Sequence, residues 1–194
     1  MTDEQYKLEL AGALQFAGSA KTKKYRARFV KAGAVLGGNR KPSGITITPE
    51  ALMSAAPSGL FENKAVFLDH AGFFDYPSLT RLAGSTMNTS YNATEQSIEG
   101  EIRLFETPTG DLAEQIISEL LGNSGNSPDI GLSIVFYPKW DKEHETIIGI
   151  NHVESVDLVF QPAADGRILQ ALSAFAGNGY NPASRVQDQR HRLG

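Results

Sequence analysis

Hydrophobic and polar residues alternate over much of the chain, and this period of two predicts a protein built mainly from β-strands. In KYRARFVKAGAVL, the apolar residues Tyr25, Ala27 and Phe29 are separated by Arg26 and Arg28. Side chains of a strand point alternately to its two faces, so one face of this strand would be apolar and the other basic. Further strands are predicted in YKLELAGALQF, KAVFLDH, LAGSTMNTSYNATEQSIEGEIRLFET (two strands), DIGLSIVFYP and HETIIGINHVESVDLVFQP, the last two segments giving at least three.

A short helix is predicted in ITPEALMSAAP. Thr48 is a good N-cap because its hydroxyl can accept a hydrogen bond from a backbone N–H of the first turn. Pro49 suits the first helical position, and Glu50 places a negative charge at the positive end of the helix. Pro57 and Gly59 predict where the helix ends.

Two further helices are predicted nearer the C-terminus. TPTGDLAEQIISELLGNSG carries an apolar stripe and ends in a glycine and an asparagine. The stripe consists of Leu112, Ile116, Leu120 and Leu121, and the end signals are Gly122 and Asn123. The segment GRILQALSAFAG predicts the final helix. Strands and helices that do not alternate regularly predict an α+β fold, here a mostly antiparallel β-barrel surrounded by helices.

The composition is that of a globular protein and narrows the function classes. Of 194 residues, 41% are hydrophobic and 21% charged, which predicts one folded domain over residues 1–177. Residues 178–194 contain few apolar side chains, so a flexible basic tail is expected there. The net charge of −4 gives no sign of a surface for nucleic acid. The absence of cysteine excludes disulfides, thiolate metal sites and a cysteine nucleophile.

Membrane insertion and secretion are both disfavoured by the sequence. No apolar run approaches the length of a membrane-spanning helix, which is about 20 residues. The first residues, MTDEQYKLEL, are acidic and lack the basic start and apolar core of a signal peptide. These features predict a soluble protein of the cytoplasm.

A lone serine stands in the apolar run DIGLSIVF, where Ser133 lies between Leu132 and Ile134. It is either a small polar residue on the solvated face of a strand or a nucleophile. The nucleophile elbow of α/β-hydrolases needs Gly-x-Ser-x-Gly, but Val135 stands where the second glycine belongs. An α/β-hydrolase is therefore disfavoured.

His70 ends the apolar strand predicted in KAVFLDH. A strand end can present a neutral imidazole beside a loop, which suits a general base because imidazole exchanges protons near neutral pH. An ordinary loop histidine is the alternative. Of the other histidines, His144 lies in the charged run DKEHE and His191 in the predicted tail, whereas His152 in a late strand competes for an orienting role.

An acid lies in the apolar strand predicted in HVESVDLVF, where Val156 and Leu158 flank Asp157. A carboxylate buried among such residues loses hydration, and this is costly unless a partner compensates. An imidazole would supply that compensation. The alternative is an exposed acid on an edge strand.

Metal and nucleotide sites are disfavoured. Asp69, His70 and Asp75 offer ligand atoms, but the chain has no HExxH motif, no pair of histidines at ligand spacing and no EF-hand. Neither GxGxxG nor GxxxxGK[ST] occurs, so a phosphate-binding loop lacks support. No metal or other cofactor is expected.

Several segments together resemble a known family. VFLDH, TRLAG, GEIRLFET, IGLSIVF and VESVDLVFQPAA are similar to segments of the prohead (capsid maturation) proteases of tailed bacteriophages, which are related in fold to the herpesvirus assemblins. The resemblance covers roughly Lys64 to Ala164. Its most specific parts are G-L-S and S-V-D-L-V-x-x-P-A, which follow the histidine in this order. It implies a herpesvirus-protease-like barrel, with residues 1–177 as the protease domain.

The resemblance implies a serine endopeptidase in which His70 is the base, Ser133 the nucleophile and Asp157 the third member of the triad. In this family the third member is a histidine or an acid. Many phage relatives carry E-V-S-L-V in this strand, and alignment places that glutamate at Ser155 and its serine at Asp157. The sequence therefore leaves other candidates for the third position, namely His152, Glu154 and Ser155.

The resemblance also implies an oxyanion region and a set of partners. In the herpesvirus relatives, arginines after the third triad strand serve the oxyanion region, and Arg167 at the start of the predicted final helix is the nearest match. The implied substrates are the capsid scaffolding protein and the N-terminal segment of the major capsid protein, inside the assembling prohead in the host cytoplasm. Self-association is a further implied contact, whereas nucleic acid and membrane are not. The tail would be a self-cleavage region or the start of a scaffold segment.

Two other functions remain open from the sequence. The first is a non-enzymatic capsid-assembly or scaffold-binding module of the same ancestry, in which Ser133 or His70 could be lost without consequence. The second is an unrelated metal-dependent hydrolase, whose bound ion a chelator would remove.

Overall fold

The computed structural model describes residues 23–37, 40–70, 78–123 and 127–172. Within these ranges the chain forms nine strands and two α-helices. In chain order they are β1 (Lys24–Lys31), β2 (Gly33–Leu36), β3 (Pro42–Ile47), α1 (Pro49–Ala55), β4 (Ala65–Leu68), β5 (Leu82–Asn92), β6 (Ser97–Leu104), α2 (Pro108–Gly122), β7 (Ile130–Trp140), β8 (Thr146–Phe160) and β9 (Arg167–Leu172). The strand predicted in YKLELAGALQF and the predicted tail, residues 178–194, lie outside the described residues.

The strands form one curled sheet of order β2-β3-β8-β4-β5-β6-β1-β9, with β7 also paired to β8. One edge of β8 pairs with the whole of β7. The other edge of β8 pairs with β3 and β4, and both of these strands run parallel to β8. The remaining pairings are antiparallel. An isolated bridge between Leu132 and Gly166 draws the β9 end of the sheet toward β7. The predicted α+β class is confirmed: the sheet is a half-barrel, to which the described residues add two helices.

In β1, the apolar residues of the alternating pattern are buried, as the sequence predicts. Tyr25, Ala27 and Phe29 are buried, and the ring of Phe29 stacks on that of Phe61 with centroids 6.4 Å apart. Fully burying an apolar side chain of this kind stabilises the fold by about 1.5–3 kcal/mol. β1 lies between β6 and β9, so its apolar face anchors the part of the sheet farthest from β8.

Helix α1 forms where the sequence predicts it and lets the chain cross from β3 to β4. Thr48 caps it, because its Oγ1 accepts a hydrogen bond from Ala51 N at 3.1 Å. A 3-10 turn follows, and Gly59 ends it in a left-handed conformation with φ of 70°. Both β3 and β4 pair with β8, so this crossover brings the C-terminal end of β4 beside the C-terminal half of β8.

The predicted apolar stripe of α2 faces the core only in part. Ile116 and Leu121 pack against the core, whereas Leu112 is 49% exposed. The fully buried residues of the helix are Gly110, Ala113 and Ile117. A Cβ at Gly110 would lie 2.0 Å from the carbonyl oxygen of Phe105, so only a residue without a side chain allows this contact. The helix approaches the sheet through two small residues and Ile117, and this orientation leaves Leu112 largely exposed.

The segment predicted as the final helix contains a strand. Residues Arg167–Leu172 form β9, which pairs antiparallel with β1 from Lys24↔Leu172 to Arg28↔Arg167. The free edge of β1 offers unpaired backbone groups, and pairing with them outweighs the local helix preference of this segment. Residues 173–177 of the predicted helix lie outside the described residues.

The segments after α2 form two strands, not the three or more predicted. β7 and β8 make one long antiparallel pair, and β8 alone spans 15 residues. Shifts in register between Val135 and Phe136, and at two later positions, let this pair bend without interruption. β8 therefore contacts three other strands along a single continuous element.

Candidate active site

Three neighbouring strands carry the three candidate catalytic residues. Asp157 in β8 is paired with Phe67 of β4 on one side and with Ser133 of β7 on the other. His70 follows the last residue of β4 by two positions. Residues that are directly opposite in neighbouring strands point to the same face, so Ser133 and Asp157 share one face of the sheet.

The imidazole of His70 contacts the carboxylate of Asp157. His70 Nδ1 lies 2.7 Å from Asp157 Oδ2. Asp157 is only 2% exposed, whereas the side chain of His70 is 43% exposed. Among the described residues, Asp157 Oδ1 has no hydrogen-bond partner, so His70 is the donor that this part of the chain supplies to the buried carboxylate. The imidazole of His70 is thus the hydrogen-bond partner that a buried carboxylate in an apolar strand requires.

The same contact changes the proton affinity of the imidazole. The hydrogen bond that His70 donates to Asp157 raises the pKa of His70, burial opposes this change, and the charges of Asp157 and Asp69 add to it. An imidazolium ion at this position is therefore stabilised relative to one in water. A base that accepts a proton during a reaction benefits from such stabilisation.

The backbone around His70 is held at several points. Asp69 has a positive φ of 65°, and its N–H donates to Leu158 O at 2.9 Å. The carboxylate of Asp69 accepts a hydrogen bond from His70 N at 2.9 Å. Arg81 Nη1 donates to His70 O at 2.9 Å. The chain thus leaves β4 through a left-handed residue and turns the imidazole toward β8.

Ser133 presents its hydroxyl beside this pair. It is half-buried, and its Cα lies opposite that of Asp157 in the β7–β8 ladder. Opposite residues of an antiparallel pair have Cβ atoms about 4.5–5.5 Å apart. No hydrogen bond to Ser133 Oγ occurs within the part of the chain that the structure describes. The hydroxyl is therefore available, but it does not yet contact His70.

The chain between β8 and β9 passes close to β7 beside Ser133. Leu132 N donates to Gly166 O at 3.1 Å. A Cβ at Gly131 would lie 2.2 Å from Gly166 O, and a Cβ at Gly166 would lie 2.1 Å from Leu132 O. Real Cβ atoms do not approach other atoms so closely, so this crossing requires glycine at both positions.

Arg167 begins strand β9, so its expected place at a helix start is wrong. Its Nη2 lies 3.1 Å from Asp129 Oδ1 and 3.4 Å from Asp165 Oδ1. A Cβ at Gly131 would lie 2.7 Å from Arg167 Nη1, so the guanidinium group covers β7 two residues before Ser133. Positions 131 and 133 of a strand point to the same face. The arginine therefore lies on the side of β7 that carries the candidate nucleophile.

The other candidates for the third position lie elsewhere on β8. His152 Nε2 lies 3.3 Å from Glu154 Oε2, and the imidazole packs 5.7 Å from the ring of Tyr137. Ser155 is 4% exposed and lies opposite Val135. Within the described ranges, none of the three candidates His152, Glu154 and Ser155 makes a hydrogen bond or an ion pair with His70. The geometry joins His70 to Asp157 instead.

Sequence reasoning assigned no role to Asp69 or Arg81. Aspartate tolerates the left-handed conformation better than most residues, and this is the one local signal for the turn at Asp69. Arg81 occurs in TRLAG, one of the segments that carry the resemblance, but nothing in its sequence context indicates that it reaches His70.

Within residues 23–37, 40–70, 78–123 and 127–172, no group of three or more histidine, aspartate or glutamate side chains is arranged to hold a metal ion. No helix in the same ranges is long and apolar enough to cross a membrane. No family model, curated protein or solved structure matches the chain.

Proposed function

We propose that the chain is a serine endopeptidase in which Ser133 is the nucleophile, His70 the general base and Asp157 the residue that orients it. The 2.7 Å contact between His70 Nδ1 and the buried carboxylate of Asp157 carries this proposal. Ser133 lies directly opposite Asp157, which supports its assignment as nucleophile. A half-exposed imidazole bonded to a buried acid, with a serine on the neighbouring strand, supplies the three groups that this chemistry needs.

The proposed reaction moves one proton back and forth. With Nδ1–H donated to Asp157, Nε2 of His70 is unprotonated and accepts the proton of Ser133 as Oγ attacks the peptide carbonyl. The carbonyl oxygen becomes an oxyanion, and His70 then protonates the leaving amine as the C–N bond breaks. Water hydrolyses the resulting ester by the same steps, which restores the serine. The reaction requires Ser133 Oγ to come within hydrogen-bond distance of His70 Nε2 when substrate binds.

The oxyanion requires donors beside Ser133. In the proposed site, backbone N–H groups and the guanidinium group of Arg167 supply them. The support for Arg167 is its position over Gly131, on the same side of β7 as Ser133. Its ion pairs with Asp129 and Asp165 hold the group in place while leaving it at the edge of the site.

We also propose a herpesvirus-protease-like barrel and a role in the maturation of a viral capsid. All three triad residues lie within roughly Lys64 to Ala164, the part that resembles prohead proteases. The proposed substrates are the scaffolding protein and the N-terminal segment of the major capsid protein, inside the assembling prohead in the host cytoplasm. Confinement in a shell raises the effective concentration of substrate, so cleavage there does not require high affinity. Self-association is a further proposed contact.

A fluorophosphonate probe tests the nucleophile directly, because serine Oγ displaces fluoride and the adduct is read by intact mass. We expect labelling of the wild type, loss of labelling in Ser133→Ala, and labelling of Ser85→Ala, a matched change at a half-buried serine of β5. Peptide mapping should place the adduct on Ser133. Labelling that persists in Ser133→Ala would refute the assignment.

Co-expression with the cognate scaffold and capsid subunit tests the biological role. We expect trimmed products with the wild type, and assembled but untrimmed shells with Ser133→Ala. Shells that form without trimming in both cases would favour the non-enzymatic assembly module over the protease.

A further inference from the structure

We infer that Arg81 is a positioning residue for His70, a role that rests on the proposed function. Arg81 Nη1 donates a hydrogen bond to the carbonyl oxygen of His70 at 2.9 Å. The arginine does not touch the reacting atoms. It acts on the backbone from which the imidazole extends, and it lies in the turn immediately before β5.

The need for such a residue follows from where His70 lies. β4 ends at Leu68, so the ladder with β8 no longer fixes the backbone of His70. The turn is made by Asp69, whose positive φ is a less stable conformation for a residue with a side chain. A peptide group in this setting can rotate and carry the imidazole with it. Misplacing a catalytic group by about 1 Å can lower a rate about 100-fold.

The hydrogen bonds around His70 oppose that rotation from both sides. Asp69 Oδ1 accepts from His70 N, Arg81 holds His70 O, and Asp157 holds Nδ1. The first two contacts fix the peptide groups that precede and follow the Cα atom. The third then determines the direction of Nε2. Removal of the arginine leaves the following peptide group without this charge-assisted bond, which is stronger than a neutral one.

Arg81 is itself well placed for this role. Its backbone carbonyl accepts a hydrogen bond from Leu68 N at 2.9 Å, and its N–H donates to Ser78 O at 3.0 Å. The base of the side chain is thus tied to the last residue of β4, two positions before His70. Arginine offers a planar fork of donors on a long side chain, whereas lysine offers a single ammonium group. The lysine variant should therefore replace the contact only in part.

The test compares Arg81→Met and Arg81→Lys with the wild type, and uses Arg103→Met as the matched control. Arg103 lies on β6 and packs over the ring of Phe105, away from the triad. The fluorophosphonate labelling rate of Ser133 is measured from pH 5 to 9 and expressed per folded molecule. The second readout is the NMR titration of the His70 imidazole and its Nδ1–H signal.

We expect Arg81→Met to lower the labelling rate about 10- to 100-fold. Arg81→Lys should recover part of the loss, and Arg103→Met should match the wild type. The Nδ1–H signal of His70 should weaken or broaden in Arg81→Met. An arginine that is merely structural would lower the melting temperature but leave the rate per folded molecule and the titration of His70 unchanged, and that result overturns the inference.

The two readouts keep this inference separate from the proposed function. If the wild type is not labelled at Ser133, the proposed function fails, and the NMR experiment still decides the role of Arg81. A change in the His70 titration in Arg81→Met but not in Arg103→Met then supports positioning, while identical titrations in all variants overturn it.

Discussion

Replacing Asp157 by asparagine removes one charge from the centre of the proposed triad while keeping the size of the side chain. In the wild type, Oδ2 lies 2.7 Å from His70 Nδ1, and the residue is 2% exposed. The carboxamide of Asp157→Asn has two orientations. In one orientation, the amide oxygen accepts the hydrogen bond from His70. The NH2 group then takes the buried position of Oδ1, which has no hydrogen-bond partner among the described residues. The other directs NH2 to His70, so that the ring must accept at Nδ1 and carry its proton on Nε2.

Both orientations reduce activity, by different routes. A buried NH2 group without an acceptor costs about 1–3 kcal/mol. A proton on Nε2 prevents His70 from accepting the proton of Ser133, and in serine proteases this exchange lowers turnover by about 10⁴-fold. We therefore expect the fluorophosphonate labelling rate to fall by about 10³- to 10⁴-fold at neutral pH. The fold itself should lose only about 1–2 kcal/mol, because the half-exposed imidazole leaves the ion pair partly screened.

The pH dependence has a definite sign. Since Asp157 raises the pKa of His70 in the folded protein, the charged pair stabilises the fold fully below the unfolded value of about 6.5. That contribution is lost as the pH rises through the folded pKa. The difference in unfolding free energy between wild type and Asp157→Asn should be largest near pH 6 and should shrink as the pH rises. Labelling of the wild type should rise with pH over the same range, because only the neutral imidazole is a base.

The assay combines the labelling rate with urea denaturation at several pH values. Asp111→Asn is the control, since Asp111 is a half-exposed acid of α2 that pairs with Lys23 and has no role in the proposed site. A fall of less than about tenfold in Asp157→Asn, with the fold intact, would show that this carboxylate does not orient the base. A stability difference that grows with rising pH would contradict the proposed direction of the His70 pKa shift.

Three further predictions follow from the same geometry. Gly131→Ala places a Cβ 2.2 Å from Gly166 O, so it should lower the unfolding free energy by about 1–3 kcal/mol and slow the labelling of Ser133. The control Gly149→Ala, whose Cβ has its nearest contact at 3.4 Å, should change neither quantity. Equal effects of the two variants in urea denaturation would contradict the close crossing. Thr48→Ala removes the hydrogen bond that caps α1 at Ala51 N, so it should lower the unfolding free energy by about 1 kcal/mol. The labelling rate per folded molecule should not change, and a slower rate would link α1 to the site. EDTA should leave labelling unchanged, and a loss that added zinc restores would favour a metal-dependent hydrolase.

The predictable part of the site is the part that depends on local chemistry. An acid between Val156 and Leu158 in an apolar strand needs a buried partner, and a histidine at the end of another apolar strand can provide one. The contact between His70 and Asp157 has the form that this reasoning requires. The predicted strands and the cap of α1 likewise depend on nearby residues alone.

The parts that sequence reasoning missed depend on distant contacts. The final segment is a strand because β1 has an edge to pair with, and its own residues do not reveal that edge. The orientation of α2 follows from the space at Gly110, which depends on the carbonyl of Phe105. The contact of Arg81 with His70 O needs the turn at Asp69, a backbone conformation that no hydrophobic pattern specifies.

The pairing of β4 with β8 has a consequence for when the candidate site forms. The residues that form the His70–Asp157 contact are 87 positions apart in the chain, and the β4–β8 ladder joins segments just as distant. Contacts of such long range form late, because closing the loop between them has an entropic cost that is recovered only when the ladder is complete. During synthesis, the base leaves the ribosome well before the acid and the serine. In the proposed serine protease, activity should therefore appear with the last cooperative step of folding, and a partly folded chain would not cleave its neighbours.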